Sequence, residues 1–229
     1  MLVDWANAWG LEIVAAGRGT KHQPHYRLST PDTVWEHYGM SPERAQAAMM
    51  NPKMFNSFLD GTKSAIEMAA IANATDLEVP PAGLPSPPAS THALPAVLAE
   101  RARAAGMAGT PMVETVSCLD GQGRPVPDDL RWGVYVVFKA GSDYVAGCFR
   151  DYGLATDPSG QYAALWRPYH LIGLELGISV ANMALRRIPT GAPWRWAGDV
   201  AATAKRDLAP GDVLDGEGGL KLSAAQWTD

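Results

Sequence analysis

The 229-residue sequence predicts an α/β (α+β) fold, a mixed sheet with packed helices followed by a small β-rich tail. Three observations carry this. The chain opens with a helical pattern, a compact apolar run and a glycine-rich turn, which is a piece of an α/β unit. Proline-capped helices then follow one another as far as a proline-rich connection. Beyond it, two apolar runs flank a turn-rich segment and read as paired strands.

In chain order, residues 2–9 read as the end of an amphipathic helix and Leu11 to Ala15 as a short buried strand that stops at Gly17. A strand of this kind needs neighbours on both sides. Ser29-Thr30-Pro31-Asp32, Ser41-Pro42-Glu43 and Asn51-Pro52 each set a capping side chain before a proline at the first helical position. Residues 79–88 form an extended, proline-stiffened connection. Leu94 to Ala105 returns to helix, and Met112 to Leu119 and Trp132 to Lys139 are strands joined around Asp120-Gly121-Gln122-Gly123. A helix near 142–151, a loop at Asp157 to Gly160 and a long helix from Pro168 to Leu185 follow, then a β-like tail from Val200 to Leu214. The apolar stretch Leu171 to Leu185 is too short to span a bilayer, which takes about 20 residues, and reads as a buried core helix.

Composition narrows the function. Apolar residues make up 47% and charged residues 19% of the chain, a globular balance. A net charge of -5 and the lack of any basic patch argue against nucleic acid as a partner. Cys118 and Cys148 stand far apart without a CxxC, which suits a reducing cytoplasm, and no secretory signal is visible at the start. No HExxH or HxxxH spacing suggests zinc, and no GxSxG elbow is present. Ala16 to Lys21 contains G-x-G after a strand but no helix pattern behind it; Gly17, Gly19 and Lys21 are candidates for a loop near a cofactor.

The most informative segment is Met54 to Thr75. Wound as one helix, it gathers Asn56, Asp60, Lys63 and Glu67 on a stripe about 60° wide, with nearly every other position apolar or small. Buried charges must be paired or solvated, so the stripe is expected to face a cavity or a polar cluster. Gly61 inside such a helix costs about 1 kcal/mol relative to alanine and suggests a close approach. The plainer alternative is an exposed face with Lys–Glu pairing at i,i+4. A second candidate is Arg167-Pro168-Tyr169-His170 at the start of the long helix, where free N–H groups would favour an anion. There the plainer alternative is that His170 merely caps or packs.

Residues 50–68 (MNPKMFNSFLDGTKSAIEM), 132–138 (WGVYVVF), 162–175 with Arg167-Pro168-Tyr169-His170, and 198–211 resemble the homoserine-dehydrogenase-like oxidoreductases with a SAF tail, a group that includes the deoxyxylulose-phosphate reductoisomerase-like (DRL) enzymes. The resemblance implies a Rossmann domain for NADP or NAD, a catalytic domain, and a SAF module. On it, residues 1–28 are a remnant of the dinucleotide domain (its last helix and strand), 29–192 the catalytic domain, and 193–229 a shortened SAF-like tail. It implies a small-molecule substrate, a Rossmann domain missing here or carried on a separate chain, and a homo-oligomer. Where homoserine dehydrogenases carry an Asp and a Lys four residues apart, this chain has Lys63 and Glu67, the charges exchanged.

The leading expectation is therefore the catalytic portion of an NAD(P)H-dependent oxidoreductase that reduces a small carbonyl or sugar phosphate and is incomplete on its own. Lys63 would protonate or polarise the oxygen, with Asp60 and Glu67 setting its charge. His170, Arg167 and Tyr169 would hold the anionic end, with Asn56 at the substrate. The reductoisomerase likeness also allows a divalent metal among the carboxylates. The rivals are a non-catalytic carbohydrate-binding module and a non-redox sugar-acid lyase.

Overall fold

The computed structural model describes residues 1–227. Its elements are α1 (Leu2–Ala8), β1 (Glu12–Thr20), α2 (Val34–Tyr38), α3 (Pro42–Ala47), α4 (Pro52–Leu59), α5 (Thr62–Thr75), α6 (Leu94–Ala104), β2 (Met112–Ser117), β3 (Val134–Lys139), α7 (Asp143–Asp151), β4 (Ala155–Thr156), β5 (Tyr162–Arg167), α8 (Leu176–Ala181), β6 (Asp199–Ala204) and β7 (Leu222–Trp227). The expected mixed sheet has five strands in the order β2-β1-β3-β5-β4, and β6 and β7 form a separate antiparallel ribbon. No helix among the described residues is long and apolar enough to cross a membrane.

β1 finds its two neighbours downstream. It pairs parallel with β2 and antiparallel with β3, so Glu12–Thr20 belongs to the same sheet as the strands that follow. The strand also runs on through Gly17 to Thr20, past the expected stop. β3 and β5 extend the sheet antiparallel; β5, given no element in the reading of the sequence, is a full strand. On one face Val3, Ala6, Met68, Val113, Val136 and Phe138 pack together; on the other Leu94, Leu98, Met112, Tyr135 and Val137 do. A third cluster, Tyr26, Val34, Trp35, Leu59 and Leu119, joins the short helices to the end of the sheet.

The helix expected over Met54 to Thr75 is two helices. It breaks at Asp60-Gly61, where Gly61 takes φ +89° and starts α5. A Cβ at Gly61 would meet little but the tip of Arg27, so the glycine is there for its left-handed backbone and not for a close approach. Asn51 caps α4 as expected, its side chain accepting from the Lys53 and Met54 N–H groups, and Ser41 caps α3.

The long buried helix expected over 168–185 is the largest departure. Residues 168–175 form turns, with Gly173 at φ +82°, and α8 lasts only six residues before a π-turn over Asn182–Arg186. Its apolar side chains lie outside the core: Leu174 is 82%, Leu176 63% and Leu185 83% exposed. Apolar content alone argued for burial. A left-handed glycine between β5 and α8 instead turns the chain off the sheet, and no described element covers it. The tail also differs: its second strand is Leu222–Trp227, beyond the expected 200–214 span.

Candidate active site

The stripe does not hold together as one face, and its residues are taken up by protein partners instead of lining a ligand cavity. Asn56 is fully buried; its amide donates to the Ser29 carbonyl (3.0 Å) and the Gly218 carbonyl (3.1 Å) and accepts from the Ser29 hydroxyl (2.7 Å). Asp60 is fully buried and paired with Lys205 Nζ at 2.7 Å, while its other oxygen accepts from the Thr62 N–H. Lys205 completes its shell with the Ser29 and Gly219 carbonyls, both at 2.8 Å. Lys63 pairs with Glu217 at 2.6 Å. Asn56, Asp60 and Lys63 thus meet the segment 205–219 and seat the β6–β7 ribbon on the α4–α5 break. The break rotates Glu67 away from the others, and it pairs with Arg18 on β1.

Gly17 and Gly19 lie within β1, not in a loop. A Cβ on Gly17 would drive into the Glu114 carbonyl of β2, and one on Gly19 into the Leu130 carbonyl, so both positions require glycine for packing. Among the described residues no group of three or more His, Cys, Asp and Glu side chains is placed to hold a metal ion, and the carboxylates of the stripe are paired, Asp60 with Lys205 and Glu67 with Arg18.

Two clefts, each of about 320 Å³, open beside the C-terminal end of β1 and share Thr20 and Phe58 as walls. The first is aromatic and cationic: Tyr38, Phe55, Phe58 and Trp132 surround Arg18, Lys21, Arg131 and His170. Of the residues singled out from the sequence, Lys21 and His170 line it; Lys63, Asp60, Glu67, Asn56, Arg167, Tyr169, Gly17 and Gly19 do not.

The charges here are balanced unevenly. Arg18 is spent on Glu67. Lys21 donates to the His37 carbonyl and lies over the Tyr38 ring at 5.3 Å, and Arg131 lies over the Tyr38 ring at 5.7 Å and the Trp132 ring at 4.5 Å. Neither Lys21 nor Arg131 makes an ion pair among the described residues. Aromatic faces orient both cations without neutralising them. Burial first, and Arg131 second, lower the Lys21 pKa, which brings its proton closer to transfer range. Burial pushes the Tyr38 phenol up to about 12, so it stays a neutral donor. His170 Nδ1 lies 3.0 Å from Glu175, whose carboxylate also takes Arg167; hydrogen bonds from Arg167 and His170 hold the Glu175 pKa down. Arg167 therefore acts on the cleft only through Glu175 and His170, and Tyr169 is half exposed.

The second cleft is polar, lined by Thr20, His22, Arg27, Ser64, Ser86 and Gln226 among others. Burial, then Arg27 and His25, push the His22 pKa down to about 4, so the ring is neutral near pH 7. Sequence reasoning missed Tyr38, Arg131, Trp132, Arg27 and Gln226. Arg131-Trp132, a cation joined to an aromatic at the start of a strand, was a usable signal; Gln226 gave none.

No curated protein matches the chain. A family model described as "Oxidoreductase DRL, catalytic domain" matches residues 1–176, which hold the whole five-stranded sheet and every wall of the aromatic cleft. The chain therefore belongs to the family of oxidoreductase DRL catalytic domains.

Proposed function

We propose that the aromatic cleft holds a small anionic carbonyl compound, a sugar phosphate being the fitting class, and that the chain contributes the substrate half of its NAD(P)H-dependent reduction. The observation that carries this reading is the pair Lys21 and Arg131, two cations without acidic partners on an aromatic floor. A desolvated cation pair of this kind attracts a phosphate or carboxylate, which aromatic walls alone would not.

Arg131 binds the anionic substituent. Lys21 donates its proton to the carbonyl oxygen as the carbon is reduced, and Tyr38 and His170 hold that oxygen from the sides. The nicotinamide, when bound, supplies the hydride; one hydride on carbon and one proton on oxygen complete the alcohol. Glu67 keeps Arg18 from competing for the anion, and Glu175 orients His170. We place the adenosine half of the dinucleotide on a separate nucleotide-binding domain or chain, since no strand–GxGxxG–helix unit occurs among these residues.

The test is NADPH oxidation with a panel of phosphorylated aldehydes and ketones, in the presence of a family nucleotide-binding domain. Lys21→Met is expected to lower kcat about a hundredfold, within the range for a lost general acid, and Lys63→Met to leave it unchanged. Full activity in Lys21→Met would end this assignment, and turnover without any nicotinamide would favour the lyase reading.

A further inference from the structure

We infer that the polar cleft is a second ligand site, one that takes a carboxamide on a planar ring, and that Gln226 is its recognition residue. This rests on the proposed reduction only in naming nicotinamide as the ring concerned. The carrying observation is that both side-chain polar atoms of Gln226, Nε2 and Oε1, are buried without a hydrogen-bond partner, on a residue that lines the cleft. They are the one such pair among the described residues. A buried amide left unpaired costs free energy, on the order of 1–3 kcal/mol, that a ligand can return. The group that satisfies a side-chain amide completely is one with a donor and an acceptor side by side, so that two hydrogen bonds close a ring between them. A carboxamide has that edge; a carboxylate, with acceptors only, sets its oxygen against Oε1.

The rest of the cleft suits such a ligand. Phe58 is a wall of both clefts, so a ring here lies next to whatever Lys21 and Arg131 hold. Arg27 makes no ion pair among the described residues, donates to the Leu84 carbonyl and is placed to meet a phosphate; Ser64 and Thr20 bring hydroxyls. His22, neutral near pH 7, adds no charge. Carboxamide, ring and phosphate together describe a nicotinamide mononucleotide.

The experiment is calorimetric titration of the chain with nicotinamide mononucleotide and, separately, nicotinic acid mononucleotide, which differ at the edge facing Gln226. The wild-type chain is expected to bind the amide at least tenfold more tightly than the acid. The nearly isosteric Gln226→Glu is expected to lose that preference. Gln226→Leu is expected to lose amide binding while its thermal midpoint holds or rises, since it removes a buried unpaired group. Lys21→Met is expected to bind the mononucleotide normally, which separates failure of this site from failure of the substrate cleft. Equal affinity for amide and acid, no binding of the amide, or an unchanged preference in Gln226→Glu would each overturn the inference.

Discussion

Two polar clusters adjoin helix α4, and they are built to opposite rules. Around Asp60 and Lys205 every charge is buried and every donor has an acceptor: a carboxylate, two carbonyls and an amide close the shell. Around Lys21 and Arg131 the cations rest on rings and lack acids. The first cluster has nothing left to offer a ligand and fastens the tail to the helices. The second retains its charge. A polar seam on an apolar helix is thus a poor guide to chemistry until its partners are known; unmatched charge in a cleft is a better one.

The largest effect that would break this comparison comes from the closed cluster. Lys205→Met leaves Asp60 buried and unpaired, and urea denaturation is expected to show a loss of about 3–5 kcal/mol. Replacing both, Asp60→Leu with Lys205→Met, is expected to recover most of it. If the single variant were as stable as wild type, the seam would not be a structural clasp.

A smaller effect, dependent on pH, sharpens the comparison with a third buried charge. Glu114 on β2 is fully buried and bonded to Arg101 at 2.8 Å, yet burial outweighs Arg101 and raises its pKa to about 7. A carboxyl whose folded pKa is raised binds more protons in the native state, so stability falls as pH rises between the ordinary value and about 7. His22 acts oppositely: with its pKa lowered to about 4, the unfolded state binds more protons, and stability rises with pH between about 4 and the ordinary histidine value. Thermal unfolding followed across this range is therefore expected to show little slope in the wild-type chain between pH 5 and 6, the two opposing each other. Glu114→Gln should expose the rising limb and His22→Asn the falling one. Identical slopes in all three proteins would contradict both assignments.

Much of the fold was legible, for physical reasons that the failures also illustrate. Capping at Ser41 and Asn51 is local chemistry and depends on nothing distant. The strands at 112–117 and 134–139 are buried along nearly their whole length, β2 at the edge of the sheet and β3 inside it, and such burial is what makes a strand readable. The break at Gly61 was not legible from periodicity, since the apolar pattern continues across it; the glycine carried the information and was read as packing. The misplacement of Leu174 to Leu185 has a like cause, for composition does not state whether anything exists to cover an apolar stretch. Of the residues that line the aromatic cleft, His170 and Lys21 were singled out by type and position, Lys21 as part of a cofactor loop. Arg131 and Gln226 escaped notice because their meaning is an absence of partners, which only three dimensions display.

The smallest expected effect on stability belongs to the open cluster. Lys21→Met and Arg131→Met are each expected to change unfolding free energy by less than about 0.5 kcal/mol, the usual scale for substitutions that break no buried pair. Binding is where they should differ from Lys205. The most direct measurement is therefore calorimetric titration of the wild-type chain, Lys63→Met and the double variant Lys21→Met with Arg131→Met, using glyceraldehyde 3-phosphate as the ligand. The first two are expected to bind alike, and the double variant at least a hundredfold more weakly. Equal affinity in all three, or a loss in Lys63→Met that matches the double variant, would contradict the assignment of the anion to the aromatic cleft.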